Sequence, residues 1–402
     1  MARYSLQEIR TMVEEYREQA IDLLRKVIQT PSPTGQELEI SKLFARHMED
    51  MGLEVDRYEY EKGRPNLLAE WIGNPDGKKF IFNGHMDVFP PTEGIEGKFG
   101  PWSGEIEDGR IYGRGATDMK SGDCAALMAV RILREKGYTP NGKILLSYMV
   151  DEENNSRKGS LSLLENGLLK DGDFGICMEP SDYKILMEEG GVWQIEVTYL
   201  SSGGHTTNPN TEEDAIKKAV RAINELYKLQ ATVESRQFAN LGHPFLNIGV
   251  INGGTVSNVR ATKATFSVDR RFAADEGFEN VKKEILDILD ALKEKDPTYD
   301  YSLKEIAYYP SAKRDGNNEY IQKIIQACAE FRGGKIEQFG RYGSSDSVFL
   351  IDQSNIQMPI YGPGICDVCG TEYEYVEIDD YLISIMTYIR AIDLLLGEKK
   401  TA

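Results

Sequence analysis

Histidine and cysteine are both scarce in this chain of 402 residues. Four histidines, at positions 47, 85, 205 and 243, leave few candidates for any site that needs imidazole. The cysteines are an odd number at irregular positions, which argues against a disulfide framework and indicates reduced thiols: Cys124, Cys177, Cys328, Cys366 and Cys369. The last two form a Cys-x-x-Cys pair, a pattern shared by redox pairs, zinc sites and unrelated thiols.

Long apolar runs and an excess of basic charge are also missing. No apolar run reaches the roughly 18 residues that can span a bilayer, and the N-terminal residues lack the apolar core of a signal peptide. We therefore predict a cytoplasmic protein without a membrane partner. Lysine and arginine number 47 against 65 aspartates and glutamates, and the formal charge of −18 repels phosphate backbones. Nucleic acid is not an expected partner.

The pattern of strands and helices predicts an α/β fold. Up to about residue 189, apolar strands alternate with helices of ten to fifteen residues, which is typical of a mostly parallel sheet flanked by helices. At 190–305 the pattern of strands and helices changes to that of a smaller α+β domain, and at 306–402 it is again that of an α/β domain. We therefore predict a catalytic domain in two parts, 1–189 and 306–402, with an inserted domain between them.

Four successive strand ends each carry a residue that can bind a metal. Strands of an open parallel sheet bring such side chains to one edge. Read singly, each has a plain structural explanation, such as a structural histidine, a helix N-cap or a solvated acidic turn. Together they predict a site for one or two divalent cations, because clustered carboxylates are costly to bury without one. The segments are "FNGHMDV" with His85 and Asp87, "GRGATDMKSGD" with Asp118, "DEE" at 151–153, and "MEP" with Glu179.

These motifs, followed in order by "GGHTTNP", "NV", "DRR" and "GSSDS", resemble the zinc-dependent amidohydrolase and exopeptidase family of aminoacylase, acetylornithine deacetylase, succinyl-diaminopimelate desuccinylase and glutamate carboxypeptidase. The resemblance runs through nearly the whole chain. It implies a zinc-peptidase-like catalytic domain and an inserted lid that also forms a homodimer. It also implies two zinc ions, with cobalt or manganese as alternatives.

The resemblance assigns a role to each matching residue of the catalytic domain. His85 and Glu179 would bind the first metal, Glu153 would bind the second, and Asp118 would bridge the two. Glu152 would be the general base toward water and then the proton donor to the leaving amine. Asp87 would be the acid behind His85. The family also places a cis peptide bond after the bridging aspartate, here between Asp118 and Met119.

Three further roles fall in the inserted domain. His205 would polarise the scissile carbonyl, in the active site of the other subunit of a dimer. Asn258 and Arg271 would hold polar groups of the substrate, and a guanidinium suits a carboxylate. As bare residues, His205 could be an ordinary turn histidine, and the other two could be surface hydrogen-bonding groups.

The pattern breaks at the last metal ligand of the family. A histidine is expected at position 370, just ahead of "YEYV", and this chain has Gly370 there. The adjacent Cys369 is our leading replacement, because a thiolate is a good zinc ligand. Cys366, Asp367 and Glu372 are weaker candidates. Two alternatives stay open: the second site is vacant or weak, or the two cysteines form a redox pair.

We therefore expect a metal-dependent hydrolase that cleaves an amide bond, of a peptide or an N-acyl group, in a small carboxylate-bearing substrate. The alternatives are a catalytically silent relative that binds a metal or ligand, and a single-metal enzyme with a changed substrate. The sequence does not name the substrate.

Overall fold

A computed structural model describes residues 2–95, 97–208 and 212–397 of the chain. The α-helices among these residues are α1 (Leu6–Glu15), α2 (Arg17–Ile28), α3 (Leu38–Glu49), α4 (Lys120–Glu135), α5 (Ser160–Glu165), α6 (Ala215–Glu234), α7 (Phe278–Lys295), α8 (Glu319–Phe331), α9 (Ser347–Ser354) and α10 (Ile378–Leu396). None of the helices in this part of the chain is long and apolar enough to cross a membrane.

The strands of the described residues number fifteen. They are β1 (Val55–Glu61), β2 (Arg64–Ile72), β3 (Lys78–His85), β4 (Glu105–Glu107), β5 (Arg110–Tyr112), β6 (Gly142–Met149), β7 (Phe174–Cys177), β8 (Ile185–Glu189), β9 (Gly191–Leu200), β10 (Phe245–Gly253), β11 (Lys263–Phe272), β12 (Tyr301–Tyr309), β13 (Ala312–Lys313), β14 (Gln338–Arg341) and β15 (Tyr375–Glu377).

The chain divides into two compact units. The first comprises 1–187, 314–339 and 345–402, and the second comprises 188–313 and 340–344. The predicted inserted domain, 190–305, ends inside β12, whereas the second unit runs on to residue 313 and also includes the short return segment 340–344. That segment is part of β14 and the residues after it, and five residues carry no periodic pattern that could have assigned them to either unit.

The first unit is built on a sheet with the order β1-β2-β6-β3-β7. β6, β3 and β7 run parallel, whereas β1, β2 and β6 pair antiparallel. The predicted α/β class is confirmed, but the sheet is mixed rather than mostly parallel. The reason is local: the tight turn between β1 and β2 can only join antiparallel strands, whereas helices carry the chain between the parallel ones.

Helix α4 covers the centre of this sheet. It is buried along nearly its whole length because it packs between the sheet and the helices α2 and α10. Two tyrosine hydroxyls of α10 donate to main-chain carbonyls within this core: Tyr381 to that of Ala20 at 3.1 Å, and Tyr388 to that of Tyr361 at 2.7 Å. Because α4 packs against β3 and β6, it supports the strand ends that carry the candidate site.

The second unit is an antiparallel sheet with the order β10-β11-β9-β12. Alternate residues of β11 are buried, and β9 shows the same alternation along most of its length, as expected for strands with one face against helices. That face packs on α6 and α7, with Trp193 and Phe266 among the buried residues. β10 is an edge strand of this sheet.

Candidate active site

His85 is the last residue of β3, at the carboxyl end of the parallel part of the sheet, and it is 1% exposed. Its Nδ1 lies 2.9 Å from the main-chain carbonyl of Asp87, so this nitrogen donates and Nε2 remains available as a ligand. Nε2 lies 3.2 Å from Asp118 Oδ1, 3.3 Å from Glu179 Oε1 and 3.8 Å from Glu152 Oε2. One imidazole therefore faces carboxylates from three other segments.

The structure brings five of the predicted residues together. Two sets of possible ligand atoms, each within 4.8 Å of one another, share His85: one set adds Glu152 and Glu179, and the other adds Asp118 and Glu153. Asp118 follows the β5 turn and precedes α4, and its bond to Met119 is cis, as the resemblance implied. Glu179 follows β7, and the two glutamates follow β6.

Burial and mutual repulsion set the charge of this cluster. Burial raises the pKa of Glu152 well above its usual value, and the negative charge of Glu179 raises it further. Burial and the charge of Asp118 do the same to the pKa of Glu153. Burial alone would lower the pKa of His85, but the neighbouring carboxylates outweigh it and raise that pKa. Imidazole and carboxylates in this arrangement fit a divalent cation, which would remove the repulsion.

Asp87 supports the cluster in a way that the sequence did not suggest. We expected its carboxylate to hold His85, but that carboxylate is 3.7 Å from Nδ1, and the main-chain carbonyl makes the closer contact. The carboxylate instead accepts the main-chain N–H of Glu152 at 3.1 Å and of Glu153 at 3.3 Å. Thr34 donates to the same carboxylate at 2.9 Å. Asp87 therefore orients the turn that presents the two glutamates.

The four candidates to replace the missing histidine lie in different surroundings. Asp367 is exposed, and Glu372 accepts from Arg114 at 2.9 Å and from the N–H of Thr92 at 2.6 Å. Cys366 Sγ lies 3.6 Å from the carbonyl of Pro180. The roles proposed for these residues stay predictions.

Cys369 lies beside the cluster rather than within it. Its Sγ is 3.7 Å from the carbonyl of Ile365 and belongs to neither set of ligand atoms found among the described residues. A hydrogen bond with Cys366 raises the pKa of the Cys369 thiol, and burial and the charge of Asp118 raise it further. The thiol therefore lies within electrostatic reach of one metal-binding candidate.

Gly370 itself has no room for a side chain in its present conformation. Its φ is +67°, a region that side chains disfavour, and a Cβ there would lie 3.2 Å from the ring of Phe89. The loop that carries the missing histidine position is therefore shaped for glycine.

Two acids that matter to the site received no role in the sequence analysis. Glu374 accepts the N–H groups of Thr117 and Asp118, both at 3.0 Å, and burial raises its pKa to about 7. Asp346 is buried, and burial raises its pKa to about 6, although the hydroxyls of Ser156 and Ser160 act to lower it. The charge of Asp346 in turn raises the pKa of Glu152. Glu374 lies in the motif "YEYV" and Asp346 lies in "GSSDS", so these two motifs could have pointed to both acids.

The second unit contains His205, Asn258 and Arg271. His205 is exposed, and its Nδ1 lies 2.8 Å from Thr207 Oγ1. The N–H of Thr206 donates to the carbonyl of Asn258 at 3.1 Å, so these two loops are adjacent. Arg271 is paired with Asp269 at 2.9 Å and also donates to the carbonyl of Tyr342 at 3.2 Å. The roles predicted for the three residues stay predictions.

Comparisons with known proteins identify close relatives of this site and fold. Residues 81–394 match the family described as Peptidase family M20/M25/M40. The chain is 29% identical over 313 residues to N-formyl-4-amino-5-aminomethyl-2-methylpyrimidine deformylase of Bacillus subtilis, covering 73% of this chain and 71% of that protein. It is 31% identical over 280 residues to succinyl-diaminopimelate desuccinylase of Methylorubrum populi, covering 67% and 72%.

A solved structure confirms the fold. A dinuclear metal-binding peptidase of the M20 family from Bacillus subtilis superposes with a TM-score of 0.71 at 17% identity, covering 95% of this chain and 98% of that chain. The family match spans most of the chain, and the motifs that it covers converge on one cluster of ligand atoms. The chain therefore belongs to Peptidase family M20/M25/M40 and is a metal-dependent hydrolase of amide C–N bonds.

Proposed function

We propose that the protein removes an acyl group or an amino acid from a small carboxylate-bearing amide. The observation that carries this proposal is the convergence of His85, Asp118, Glu152, Glu153 and Glu179 at one end of the sheet. The names of the relatives, a deformylase and a desuccinylase, favour an N-acyl substrate over a long peptide.

We infer that two zinc ions bind at this cluster, with cobalt or manganese as alternatives. His85 and Glu179 would hold one ion, Glu153 would hold the other, and Asp118 would bridge them. When bound, such ions activate water and polarise the amide carbonyl. The fit is chemical, since one imidazole nitrogen and several buried carboxylates with raised pKa values form an uncompensated negative site.

Glu152 is the proposed general base and later the proton donor to the leaving amine. A base works best when its pKa is near the operating pH, and burial moves the pKa of Glu152 in that direction. The N–H of the same residue donates to Asp87, so its main chain is held while its carboxylate handles the proton.

Cys369 is the proposed ligand that closes the second metal site. Of the four candidates, it combines proximity to Asp118 with a soft donor atom, whereas Glu372 already accepts from Arg114 and Thr92. The competing proposal is a single-metal enzyme whose second site is weak. The Cys369 thiol lies outside both sets of ligand atoms, and this placement favours that alternative.

We also propose a cytoplasmic homodimer that forms through the second unit. β10 is an edge strand, and it carries the exposed apolar side chains of Val250 and Ile251. Exposed apolar residues also lie on α6, including Ile216, Val220 and Tyr227. Apolar edge strands are usually covered in native proteins. In such a dimer, His205 would polarise the carbonyl in the active site of the other subunit.

Arg271 and Asn258 are the proposed contacts to polar groups of the substrate. The guanidinium of Arg271 is already paired with the carboxylate of Asp269. Its remaining N–H groups would therefore bind a substrate carboxylate through directional hydrogen bonds more than through net charge. This arrangement supports a carboxylate-bearing substrate.

Turnover by Glu152→Gln tests the function directly. We expect the zinc-loaded wild type to hydrolyse at least one member of a panel of N-formyl, N-acetyl and N-succinyl amino acids and dipeptides. Glu152→Gln should retain the fold and the metal but lose about 10²- to 10⁴-fold in kcat, because the proton acceptor is gone. Glu165→Gln, at an exposed position on α5, is the control and should keep full activity. Retained activity in Glu152→Gln would refute its role as base.

A catalytically silent, ligand-binding relative is the remaining alternative. It predicts that the wild type binds metal and that no panel member is turned over with zinc, cobalt or manganese. Against it stands the presence of the base, the bridging acid and the other carboxylates in one cluster.

A further inference from the structure

A buried arginine lies behind the turn that carries the two catalytic glutamates. Arg64, the first residue of β2, is 5% exposed. Its Nε donates to Glu37 Oε2 at 2.8 Å, and a second nitrogen contacts the other oxygen of the same carboxylate. That second nitrogen also lies 3.0 Å from Asp151 Oδ1. Glu37 and Asp151 are 0% and 1% exposed, so one guanidinium contacts two fully buried acids.

Asp151 immediately precedes Glu152 and holds the turn in shape. It has a φ of +69°, in the left-handed region that residues other than glycine rarely adopt. Its carbonyl accepts the N–H groups of Asn154 at 3.1 Å and Ser156 at 2.8 Å, and its Oδ2 accepts the N–H of Lys158 at 3.2 Å. The conformation of this residue therefore sets the path of the chain through the two glutamates.

Glu37 belongs to a second loop that reaches the same turn from the other side. Its Oε1 accepts the N–H of Gly35 at 2.9 Å, and the neighbouring Thr34 donates to Asp87. The Asp87 carboxylate accepts the N–H groups of Glu152 and Glu153. The contacts thus close into a ring from Arg64 through Glu37, the loop at 34–37, Asp87 and the catalytic turn to Asp151, which returns to Arg64.

The charge balance shows why the ring needs an arginine. Burial acts to lower the pKa of Arg64, but its hydrogen bonds to Glu37 and the charge of Asp151 outweigh burial and raise it, so the guanidinium stays charged. A planar guanidinium can bond one carboxylate through two nitrogens and still reach another acid. An ammonium group is a single point charge and cannot hold both acids in one fixed geometry.

We propose that Arg64 is a positioning residue, which fixes the orientation of Glu152 and Glu153 by clamping Glu37 and Asp151 on either side of the catalytic turn. The consequence for metal binding rests on the proposed function, in which Glu153 is a metal ligand. The consequence for the turn itself rests only on the contacts described above.

Hydrogen exchange of the metal-free protein tests the positioning role without any metal or substrate. We expect the amides of Glu152, Glu153, Asn154 and Ser156 to exchange at least tenfold faster in Arg64→Met than in the wild type, because their acceptors are no longer held. Arg64→Lys should recover only part of the protection.

Arg390→Met is the matched control for a general loss of stability. Arg390 lies on α10 of the same unit and is 9% exposed. Its guanidinium donates to the Glu330 carboxylate at 2.6 and 3.2 Å and lies 3.7 Å from the carboxylate of Asp393. Its loss should leave exchange at 152–156 within threefold of the wild type. Equal acceleration in both variants, or no acceleration in a folded Arg64 variant, would overturn the proposal.

A charge-neutral variant keeps the test decisive if Arg64→Met does not fold. The triple variant Arg64→Met, Glu37→Gln, Asp151→Asn leaves no buried charge without a partner. It should fold and still show at least tenfold faster exchange, because the clamp is absent; wild-type protection in this variant would refute the positioning role.

Zinc affinity, measured by competition with a chelator, then separates this proposal from the proposed function. If the wild type binds zinc, at least one zinc ion should bind tenfold more weakly to the Arg64 variants and unchanged to Arg390→Met; unchanged affinity in the Arg64 variants would count against the proposal. If the wild type binds no zinc, the proposed function fails, and the exchange experiment still decides the role of Arg64.

Discussion

The two imidazole nitrogens of His85 contact different parts of the candidate site. Its Nδ1 faces the carbonyl of Asp87, and its Nε2 faces three carboxylates at 3.2 to 3.8 Å. The tautomer is fixed by the main chain, which cannot titrate. Burial raises the pKa values of Glu152 and Glu153, and a divalent cation at the cluster would stabilise their ionised forms.

Replacement of Cys369 decides how the second metal site is closed. We expect purified wild type to contain two metal ions per chain and Cys369→Ser to contain one, because a hydroxyl is a much poorer zinc ligand than a thiolate. The measurement is metal content by mass spectrometry after dialysis. Tyr373→Ser, at a 60% exposed position on the same loop, is the control and should keep both ions. Equal stoichiometry in wild type and Cys369→Ser would remove the thiolate from the site.

Asp346 gives the protein a predictable dependence on pH. Its folded pKa is raised to about 6, so the folded state holds a proton that the unfolded chain releases near pH 4. Burying the ionised carboxylate therefore lowers the free energy of unfolding as the pH rises above the unfolded pKa. This loss of stability reaches its full size above the folded pKa. We expect metal-free Asp346→Asn to gain on the order of 1 kcal/mol more stability over the wild type at pH 8 than at pH 5. Urea unfolding at both values measures it, and an equal difference at both would contradict the assignment.

Among the elements, α4 begins just after Asp118 and packs against the strand end that precedes Glu179. Gly122 lies on this helix where it meets β7: a Cβ there would be 2.2 Å from the carbonyl oxygen of Met178 and 3.0 Å from its Cβ. Such a contact cannot be relieved by rotating a side chain, because the nearest atom belongs to the main chain. The helix and the strand end must therefore separate if the residue grows.

Gly122→Ala should destabilise the fold and weaken metal binding together. Alanine gains about 1 kcal/mol in helix propensity, but overpacking against the main chain costs about 1 to 3 kcal/mol and displaces Glu179. The net loss is measured by urea unfolding, and metal binding by chelator competition. Gly316→Ala is the control, since nothing lies within 4 Å of its Cβ position. Stability equal to the wild type in Gly122→Ala would show that the contact is relieved elsewhere.

At the scale of the whole molecule, the proposed dimer would form through the edge strand β10. We expect the wild type to elute with twice the mass of one chain and the double variant Val250→Lys, Ile251→Lys to elute as a monomer. Charged residues on an edge strand oppose pairing with another strand. Light scattering during size exclusion gives the mass. Ile72→Lys, which alters a residue 55% exposed on β2 of the first unit, is the control and should stay dimeric.

The monomeric double variant also tests the role of His205. If this residue serves the other subunit, the monomer should lose activity while keeping its metal. A wild type that is monomeric at all concentrations would contradict the proposed dimer, and full activity in a monomeric variant would contradict the proposed role of His205.

The sequence predicted which residues converge at one end of the sheet, but it did not predict which residues support them. Strand ends are visible in a sequence as apolar runs that stop, so His85, Asp118, Glu153 and Glu179 could be found from their positions. Glu37 and Arg64 could not, because they lie 27 residues apart and no local pattern links them. The direction of β1 and β2 was likewise decided by a short turn within an otherwise alternating pattern.

The sequence by itself determined the fold class, the family and the residues available to bind a metal, because these depend on local periodicity and on motifs in a fixed order. Only the tertiary structure decided that the Asp87 carboxylate accepts the N–H groups of Glu152 and Glu153, that Cys369 lies beside the cluster, and that Arg64 contacts two buried acids behind it. These three outcomes depend on which distant segments meet and on how much water is excluded there, and neither quantity is encoded in the spacing of residues along the chain.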